Sequence, residues 1–319
     1  MTLEAEIRGL KRDRKALILA HFYEDGEIQD VADAVGDSLF LAQEGKRSSA
    51  PVVLLAGVVF MGESVKILSP EKTVLVPDLG AGCSLVDGSP YAEYLAWRRA
   101  RPDGICVTYV NSSAAVKSIT DVVCTSSNAE AIVRAIPADR PILFGPDRHL
   151  GAWLERRTGR RMEIWPGSCQ VHVLFNARRL HELKLRHPNA LVLAHPECDD
   201  GVLAHADVVG STSRLLAEVR DRSAVTEFIV ATEIGIFHQM RKARPEAVLI
   251  QAPFEGSCAC NECPFMKMNT LEKVRDALRN LAPAVQVPSD LIERARVPLE
   301  RMLAVTAGRP VEWPRRFEG

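Results

Sequence analysis

Short, continuously apolar runs alternate with amphipathic segments along most of the chain. Runs such as LILA, VVLLAG and LVLA are apolar at almost every position, which is typical of parallel strands that are buried on both faces of a sheet. The segments between these runs have the apolar spacing of helices that cover one face of a sheet. Strands and helices that alternate at this spacing predict a parallel α/β architecture.

The same pattern occurs three times, with matching residues at matching distances. Counted from His21, Tyr109 and His195, an aspartate follows twelve residues later, a valine fourteen residues later and a hydroxyl residue seventeen residues later. The aspartates are Asp33, Asp121 and Asp207. The hydroxyl residues are Ser38, Ser126 and Thr212. Ungapped matches at three positions predict three copies of one structural unit.

Each copy continues in the same order after its hydroxyl residue. A helix-like segment leads to a third strand, and a second helix-like segment leads to a fourth strand and then to a cysteine. The third strands are expected at 52–57, 141–145 and 227–232. The closing cysteines are Cys83, Cys169 and, in the run CACNEC, Cys263. Each copy is therefore predicted to be a βαβαβαβ unit.

These observations predict three similar parallel-sheet α/β/α domains with pseudo-threefold symmetry. We place them at 1–82, 83–169 and 170–263. The remaining segment, 264–319, has helix-like stretches and is expected to pack on the first domain. Ligands of parallel sheets bind at the carboxyl ends of the strands, and every residue that marks the repeat follows a predicted strand. The three edges are therefore expected to face one central cavity.

The hydroxyl residues of the repeat have two interpretations. Serine and threonine before a helix are common N-caps, and the spacing from Ser127 to Glu130 is that of a capping box. Helix N-termini are also anion-binding sites, because their free N–H groups and their dipole attract negative charge. The two roles are compatible. We predict that a substrate with several negative groups, such as phosphate and carboxylates, binds at Ser38, Ser126 and Thr212.

The cysteines that close the three copies predict a metal centre. Three thiolates that meet at one point suit zinc or an iron–sulfur cluster, and three protein ligands leave an open position for substrate. In the last copy Cys258, Cys260 and Cys263 can each reach inward, and the first two can also form a redox pair. His172, three residues after Cys169, is a candidate ligand, hydrogen-bond donor or substrate contact.

Composition limits the classes of partner. The 319 residues include 40 basic and 41 acidic side chains, so there is no basic surplus for nucleic acid or an acidic membrane. The N-terminus lacks the apolar core of a signal peptide, and no segment has the roughly 18 to 20 apolar residues of a membrane span. A cytoplasmic location is expected. Of the eight cysteines, Cys106 and Cys124 lie in strand-like sequence and are predicted to be buried.

Six blocks of the sequence resemble, in the same order, the signature motifs of the quinolinate synthase family. They are HFYEDGEIQDVADAVGDSLFLA, FMGESVKILSPEKTVLVPDLGAGCSLVD, YVNSSAAVKSITDVVCTSSNA, WPGSCQVH, AHPECDDGVLAHADVVGSTSRLL and ECPFMKMNTLEKV. The resemblance implies three α/β domains around a [4Fe–4S] cluster. It also implies the condensation of iminoaspartate with dihydroxyacetone phosphate to quinolinate, phosphate and water, in NAD biosynthesis. Functional coupling to an enzyme that oxidises aspartate is expected with it.

The resemblance implies roles for residues at the motif positions. In the family three cysteines hold the cluster and one iron stays free for substrate; the matching residues are Cys83, Cys169 and Cys263. Glu197 is expected to act as general base and acid beside His195. Asn111 is expected to bind a carboxylate or carbonyl. Further substrate contacts and proton-transfer groups are expected at His21, Tyr23, Tyr109, His172 and His195.

Two positions depart from the family pattern. Phe22 stands where the family often has a second tyrosine, and Val59 where it often has histidine.

Two other functions suit the same cysteines. A zinc-dependent lyase or hydrolase is one alternative, with the three thiolates as ligands and Glu197 as base. An iron–sulfur electron carrier or redox sensor is the other, with CACNEC as its switch. That second alternative has no need of Glu197 or of the hydroxyl residues.

Overall fold

Three four-stranded parallel sheets, each interleaved with helices, make up most of the chain. The computed structural model describes residues 2–255 and 261–319. In each sheet the first strand of the unit lies between the second and the third, and the fourth lies at the edge. The predicted α/β architecture of three similar domains is therefore confirmed.

The strands lie where the apolar runs predict them. The first unit contains β1 (Ala16–His21), β2 (Ala34–Gly36), β3 (Val52–Ala56) and β4 (Thr73–Leu75). The second contains β5 (Ile105–Tyr109), β6 (Val122–Cys124), β7 (Ile142–Gly145) and β8 (Met162–Ile164). The third contains β9 (Leu191–Ala194), β10 (Val208–Val209), β11 (Glu227–Ala231) and β12 (Val248–Gln251). All pairings within these sheets are parallel.

Helices cover the faces of the sheets. In the first unit they are α1 (Leu3–Asp13), α2 (Gly26–Val31), α3 (Ser38–Arg47) and α4 (Val59–Leu68). In the second they are α5 (Ser84–Asp87), α6 (Tyr91–Arg99), α7 (Ala114–Lys117), α8 (Ala129–Ala135) and α9 (Arg148–Thr158). In the third they are a 3₁₀ helix (His172–Leu174), α10 (Ala177–Arg186), α11 (Asp200–Leu203), α12 (Thr212–Asp221) and α13 (Ile236–Ala243). A 3₁₀ helix (Met266–Met268), α14 (Leu271–Asn280) and α15 (Ser289–Thr306) follow. None of the helices in the described ranges is long and apolar enough to cross a membrane.

The central strands are buried on both faces, as their unbroken apolar sequence predicts. All five residues of β3 and all five of β5 are buried. Cys106 and Cys124 are fully buried in β5 and β6, which confirms their predicted place in the core. One apolar cluster runs from Leu55 of the first unit to Phe144 of the second and includes Met302 of α15. The first two units therefore share a continuous core.

The C-terminal helices contact two units. Helix α14 packs on α1 and β3 of the first unit. Helix α15 lies against α4 of the first unit and against β6, α7 and α8 of the second. The expectation for 264–319 named only the first unit, so the bridging position of α15 is new. The domain boundaries at 1–82, 83–169 and 170–263 remain predictions.

The repeated aspartates hold the start of the first strand in each unit. In the second unit Oδ2 of Asp121 accepts the N–H of Cys106 at 2.7 Å, and the N–H of Asp121 donates to the carbonyl of Cys106 at 3.1 Å. The other units form the same reciprocal bonds, between Asp33 and Ile18 and between Asp207 and Val192. The aspartate therefore extends the strand ladder by one pair, which explains why it recurs.

Asp121→Ala is expected to destabilise the protein far more than Asp207→Ala. Nη2 of Arg98 lies 2.6 Å from Oδ2 of Asp121, and the Arg98 side chain is fully buried. Loss of the Asp121 carboxylate leaves the buried guanidinium of Arg98 without its ionic partner, which costs about 3–5 kcal/mol. The partner of Asp207 is Lys184 at 3.3 Å, and both side chains are partly exposed, so about 1–2 kcal/mol is expected there. Urea-unfolding midpoints measure the difference, and equal losses would contradict it.

Candidate active site

One cavity lies where the carboxyl ends of the three sheets meet. Most of the residues singled out from the sequence line it, namely His21, Tyr23, Ser38, Cys83, Tyr109, Asn111, Ser126, Cys169, His172, His195, Glu197, Thr212 and Cys263. They meet because loops at the carboxyl ends of parallel strands converge on one side of a sheet. Their roles in binding and catalysis remain predictions.

Further residues line the cavity without having been predicted. They are Asp37, Val58, Met61, Gly82, Thr125, Val171 and Met266. The apolar members look like core residues in the sequence, so no local signal separates them. Asp37 and Thr125 are different, because they occupy the same position of the repeat as Ser211, directly before the three hydroxyl residues. The shared position of these residues in the repeat could therefore have identified Asp37 and Thr125 from the sequence.

Three cysteines approach the cavity from three sheets. Cys83 follows β4, Cys169 follows β8 and Cys263 follows β12. Burial raises the pKa of Cys83 to about 12 and that of Cys263 to about 11. Burial also raises the pKa of Cys169, and Glu197 adds to the effect. The thiols of the protein alone are therefore protonated near pH 7. A metal centre would displace these protons and stabilise the thiolates.

Two buried carboxylates hold the backbone of two of these cysteines. Oδ2 of Asp147 accepts the N–H of Cys169, and Oε1 of Glu233 accepts the N–H of Cys263, each at 3.2 Å. Both carboxylates are fully buried. They occupy equivalent positions of the repeat, where the first unit has Val58. Neither was predicted, although their equivalence is visible in the sequence.

A second group of potential metal ligands overlaps the three cysteines. Cys169, His172 and Glu197 place one ligand atom each within 4.8 Å of the others. Nδ1 of His172 lies 3.3 Å from Sγ of Cys169 and 2.8 Å from Oε2 of Glu197. The cavity therefore suits either a cluster on the three cysteines or a single ion on this mixed set. Cys258 and Cys260, with their predicted redox pairing, lie outside the described residues.

Two buried oxygen atoms in the cavity lack a hydrogen-bond partner in the described part of the chain. They are Oε1 of Glu197 and Oδ1 of Asn111. The amide nitrogen of Asn111 lies 3.9 Å from Sγ of Cys83, so this side chain is directed at the cysteines. Buried polar atoms are almost always paired. The two oxygens therefore indicate a bound group that supplies donors or positive charge, as a metal centre with its substrate would.

His21 and His195 orient their rings in the same way. Nδ1 of His21 accepts the N–H of Tyr23 at 3.2 Å, and Nδ1 of His195 accepts the N–H of Glu197 at 3.4 Å. Burial lowers the pKa of His21 to about 4 and that of His195 to about 3. Both rings are therefore neutral near pH 7, with the proton on Nε2. In His195 this atom lies 3.2 Å from Oγ of Ser126.

Thr232, which was not predicted, connects two of the predicted residues. Its Oγ1 lies 2.9 Å from Nε2 of His172 and 2.6 Å from Oη of Tyr23. The ring of His172 stacks on that of His195 at 4.7 Å. Burial acts to raise the pKa of Glu197, but its polar contacts with His195 and His172, among them the hydrogen bond from Nδ1 of His172, lower that pKa. Glu197 is therefore an ionised carboxylate at the end of a chain of polar contacts.

The hydroxyl residues lie beside helix starts, but their neighbours provide the caps. Ser38 and Thr212 are the first residues of α3 and α12, and Ser126 lies in the turn before α8. The N-cap residues are Asp37, Asn128 and Ser211. The spacing from Ser127 to Glu130 does not form a capping box, because the N-cap residue of α8 is Asn128. Oγ of Ser127 donates instead to the carboxylate of Asp37 at 2.6 Å, because an ionised acceptor forms the stronger hydrogen bond.

Comparison with known proteins identifies the family of the chain. The family described as NadA, quinolinate synthetase A protein, matches residues 5–304. A quinolinate synthase of Microcystis aeruginosa is 49% identical over 300 residues, which is 94% of each chain. The chain belongs to the quinolinate synthase family. A quinolinate synthase of Nostoc sp. is 48% identical over 306 residues, 96% of this chain and 94% of its own. One of Thermosynechococcus vestitus is 48% identical over 307 residues, 96% of each chain.

Membership of the quinolinate synthase family makes the protein an enzyme of NAD biosynthesis. The electron carrier and the redox sensor are thereby excluded. The two departures from the family pattern do not touch the cavity within the described ranges. Phe22 belongs to an apolar cluster with Leu193 and Phe228 of the third unit. Val59 begins α4, and its N–H donates to the carbonyl of Ala81 at 2.8 Å.

Proposed function

We propose that this quinolinate synthase family member condenses iminoaspartate with dihydroxyacetone phosphate to give quinolinate, phosphate and water. We further propose that Cys83, Cys169 and Cys263 hold a [4Fe–4S] cluster. The observation that carries the proposal is the arrival of one cysteine from each of three sheets at a single cavity beside Glu197. Supply of iminoaspartate by an aspartate-oxidising enzyme and a cytoplasmic location belong to the same proposal.

The cysteines favour a cluster over a single ion. An ion held by Cys169, His172 and Glu197 would leave Cys83 and Cys263 in the cavity without a role. It would also leave unexplained why a buried carboxylate holds the backbone of Cys263. When bound, the cluster would supply an iron with an open coordination position, which polarises a substrate oxygen as a Lewis acid.

Glu197 is the proposed general base. Its Oε1 is buried at the cavity without a partner among the described residues, and polar contacts that include the hydrogen bond from His172 lower the pKa of the group. It can therefore accept a proton from a carbon or nitrogen next to an imine or carbonyl. Oε2 lies 2.8 Å from Nδ1 of His172, and this contact fixes the direction in which the free oxygen points.

The remaining polar side chains bind and orient the substrates. His21 and His195 are neutral, so each offers an Nε2–H to a carbonyl or phosphate oxygen without adding a net charge. The first N–H groups of α3 and α12 are available to anions beside Ser38 and Thr212, and the helix dipoles favour phosphate or carboxylate there. Asn111 can bind a second polar group of the substrate through Oδ1.

An oxygen-free assay with iminoaspartate and dihydroxyacetone phosphate tests the reaction, and metal analysis of the same sample tests the centre. Formation of quinolinate together with phosphate is expected. A brown protein with about four irons per chain is expected. A colourless protein with a single zinc would refute the cluster, and absence of quinolinate from an iron-loaded sample would refute the reaction.

A further inference from the structure

The carboxylate of Asp37 contacts all three units at one end of the cavity. Asp37 belongs to the first unit and is buried. Its Oδ2 accepts Oγ–H of Ser127 from the second unit at 2.6 Å and Oγ–H of Ser213 from the third at 2.7 Å. Its Oδ1 accepts the N–H of Phe40 at 3.0 Å and so caps α3. We call Asp37, Ser127 and Ser213 the carboxylate clasp.

The residues of the clasp occupy positions at which the three copies of the repeat have different residues. Asp37 occupies the position of Thr125 in the second unit and of Ser211 in the third. At the position of the two donors the units have Leu39, Ser127 and Ser213. Capping does not require this arrangement, because Ser211 caps α12 with its own hydroxyl. One acceptor in the first unit and one donor in each of the others form a matched set.

Each member of the clasp is the chain neighbour of a hydroxyl residue that lines the cavity. The pairs are Asp37 with Ser38, Ser127 with Ser126, and Ser213 with Thr212. Hydrogen bonds within the clasp therefore set how far apart the three cavity hydroxyls lie. Each unit has its own sheet, and a small rotation of one of them would move its hydroxyl away from a shared ligand.

We propose that Asp37 is a positioning residue that fixes the hydroxyls of Ser38, Ser126 and Thr212 around one anionic group of the substrate. A bare carboxylate at this place would repel an anion. The oxygens of Asp37 already accept three hydrogen bonds, so the side chain acts through the clasp and not on the substrate. The proposal rests on the proposed function only for the identity of the anion, the phosphate of dihydroxyacetone phosphate.

Three variants separate positioning from capping and from charge. In Asp37→Asn the amide oxygen can still cap α3, and the amide N–H groups can donate to both serine hydroxyls, which also accept hydrogen bonds. The double variant Ser127→Ala with Ser213→Ala removes the clasp and keeps the cap. Asp37→Ala removes both. Ser118→Ala is the matched control, because Oγ of Ser118 donates to the carbonyl of Ala115 within the second unit, at 2.7 Å.

Steady-state kinetics give the first readout. The double serine variant is expected to raise KM for dihydroxyacetone phosphate about tenfold and to change kcat by less than about threefold, because loss of uniform substrate binding raises KM without lowering kcat. Asp37→Asn is expected to raise KM by less than the double serine variant does, because the amide keeps both contacts of the clasp, and Ser118→Ala is expected to stay within about threefold of the unchanged protein. An Asp37→Asn variant as impaired as Asp37→Ala would show that charge matters, and would overturn the proposal.

Amide hydrogen exchange gives a readout that needs no turnover. The double serine variant is expected to exchange about three- to tenfold faster in the segments that follow β2, β6 and β10, because opening any one unit frees the other two. A role confined to local structure would change only the segments that carry the substituted serines, and that result would overturn the proposal. Failure of the unchanged protein to form quinolinate would refute the proposed function without altering the exchange result.

Discussion

Alanine at Cys83 or at Cys169 is expected to yield a folded protein with less than about one iron per chain, against about four in the unchanged protein. Each thiol comes from a different sheet, and the buried Cys106, Cys124 and Cys198 are held within their own units. None of these three can move into the cavity to replace a lost ligand. Quinolinate formation is expected to disappear with the iron. Metal analysis and the visible absorption spectrum measure the loss.

Cys83→Ala is the more informative of the two variants. Cys169 belongs both to the cysteine set and to the mixed set with His172 and Glu197, whereas Cys83 belongs only to the first. A protein that keeps its full metal content after Cys83→Ala would refute the cluster ligands and favour a single ion. Cys106→Ala is the matched control. Its Sγ lies in the core, 3.6 Å from Oγ1 of Thr108, so full iron content is expected.

Glu197→Gln is expected to reduce kcat by about 10²- to 10⁴-fold while leaving the iron content and the visible spectrum unchanged. Glutamine has nearly the same shape and can still contact His172. It cannot accept a proton from the substrate, and the base is therefore lost without loss of packing. An unchanged spectrum shows that the metal centre is intact, so the loss of turnover can be assigned to the carboxylate.

A second carboxylate in the same unit controls for the change of charge. Oε2 of Glu227 lies 3.1 Å from Nδ1 of His187, and Glu227 is not among the residues that line the cavity. Glu227→Gln removes the same charge outside the cavity and is expected to leave kcat within about twofold, as surface substitutions usually do. If Glu197→Gln retains turnover equal to that of Glu227→Gln, another group is the base.

The fold could be predicted largely from local sequence. Apolar runs such as 52–57 and 227–232 became β3 and β11 within a residue, because strands buried on both faces consist mainly of apolar residues. The order of strands and helices along the chain in each unit followed from the repeat. The position of α15 did not follow, because the apolar face of a helix does not specify which sheet it covers. Its placement between α4 and β6 depends on which groove remains after the sheets have packed.

The cavity could be predicted residue by residue where the repeat marks it. His195 and Glu197 follow β9, and His21 and Tyr23 lie at the carboxyl end of β1, so equivalent positions had to lie at the same edge of their sheets. Thr232 could not be predicted in this way. Its contacts with Tyr23 and His172 join two units, and nothing in the surrounding strand distinguishes it from a buried hydroxyl.

The sequence by itself determined three α/β units and the strand ends that carry the functional side chains. These features depend on residues close together in the chain, where side-chain periodicity decides which face is buried. Only the tertiary structure decided which side chains meet across units, such as Asp37 with Ser127 and Ser213. These contacts join residues far apart in the chain, and their geometry depends on how three sheets rotate against one another. Packing of the whole core sets that rotation, and no local pattern encodes it.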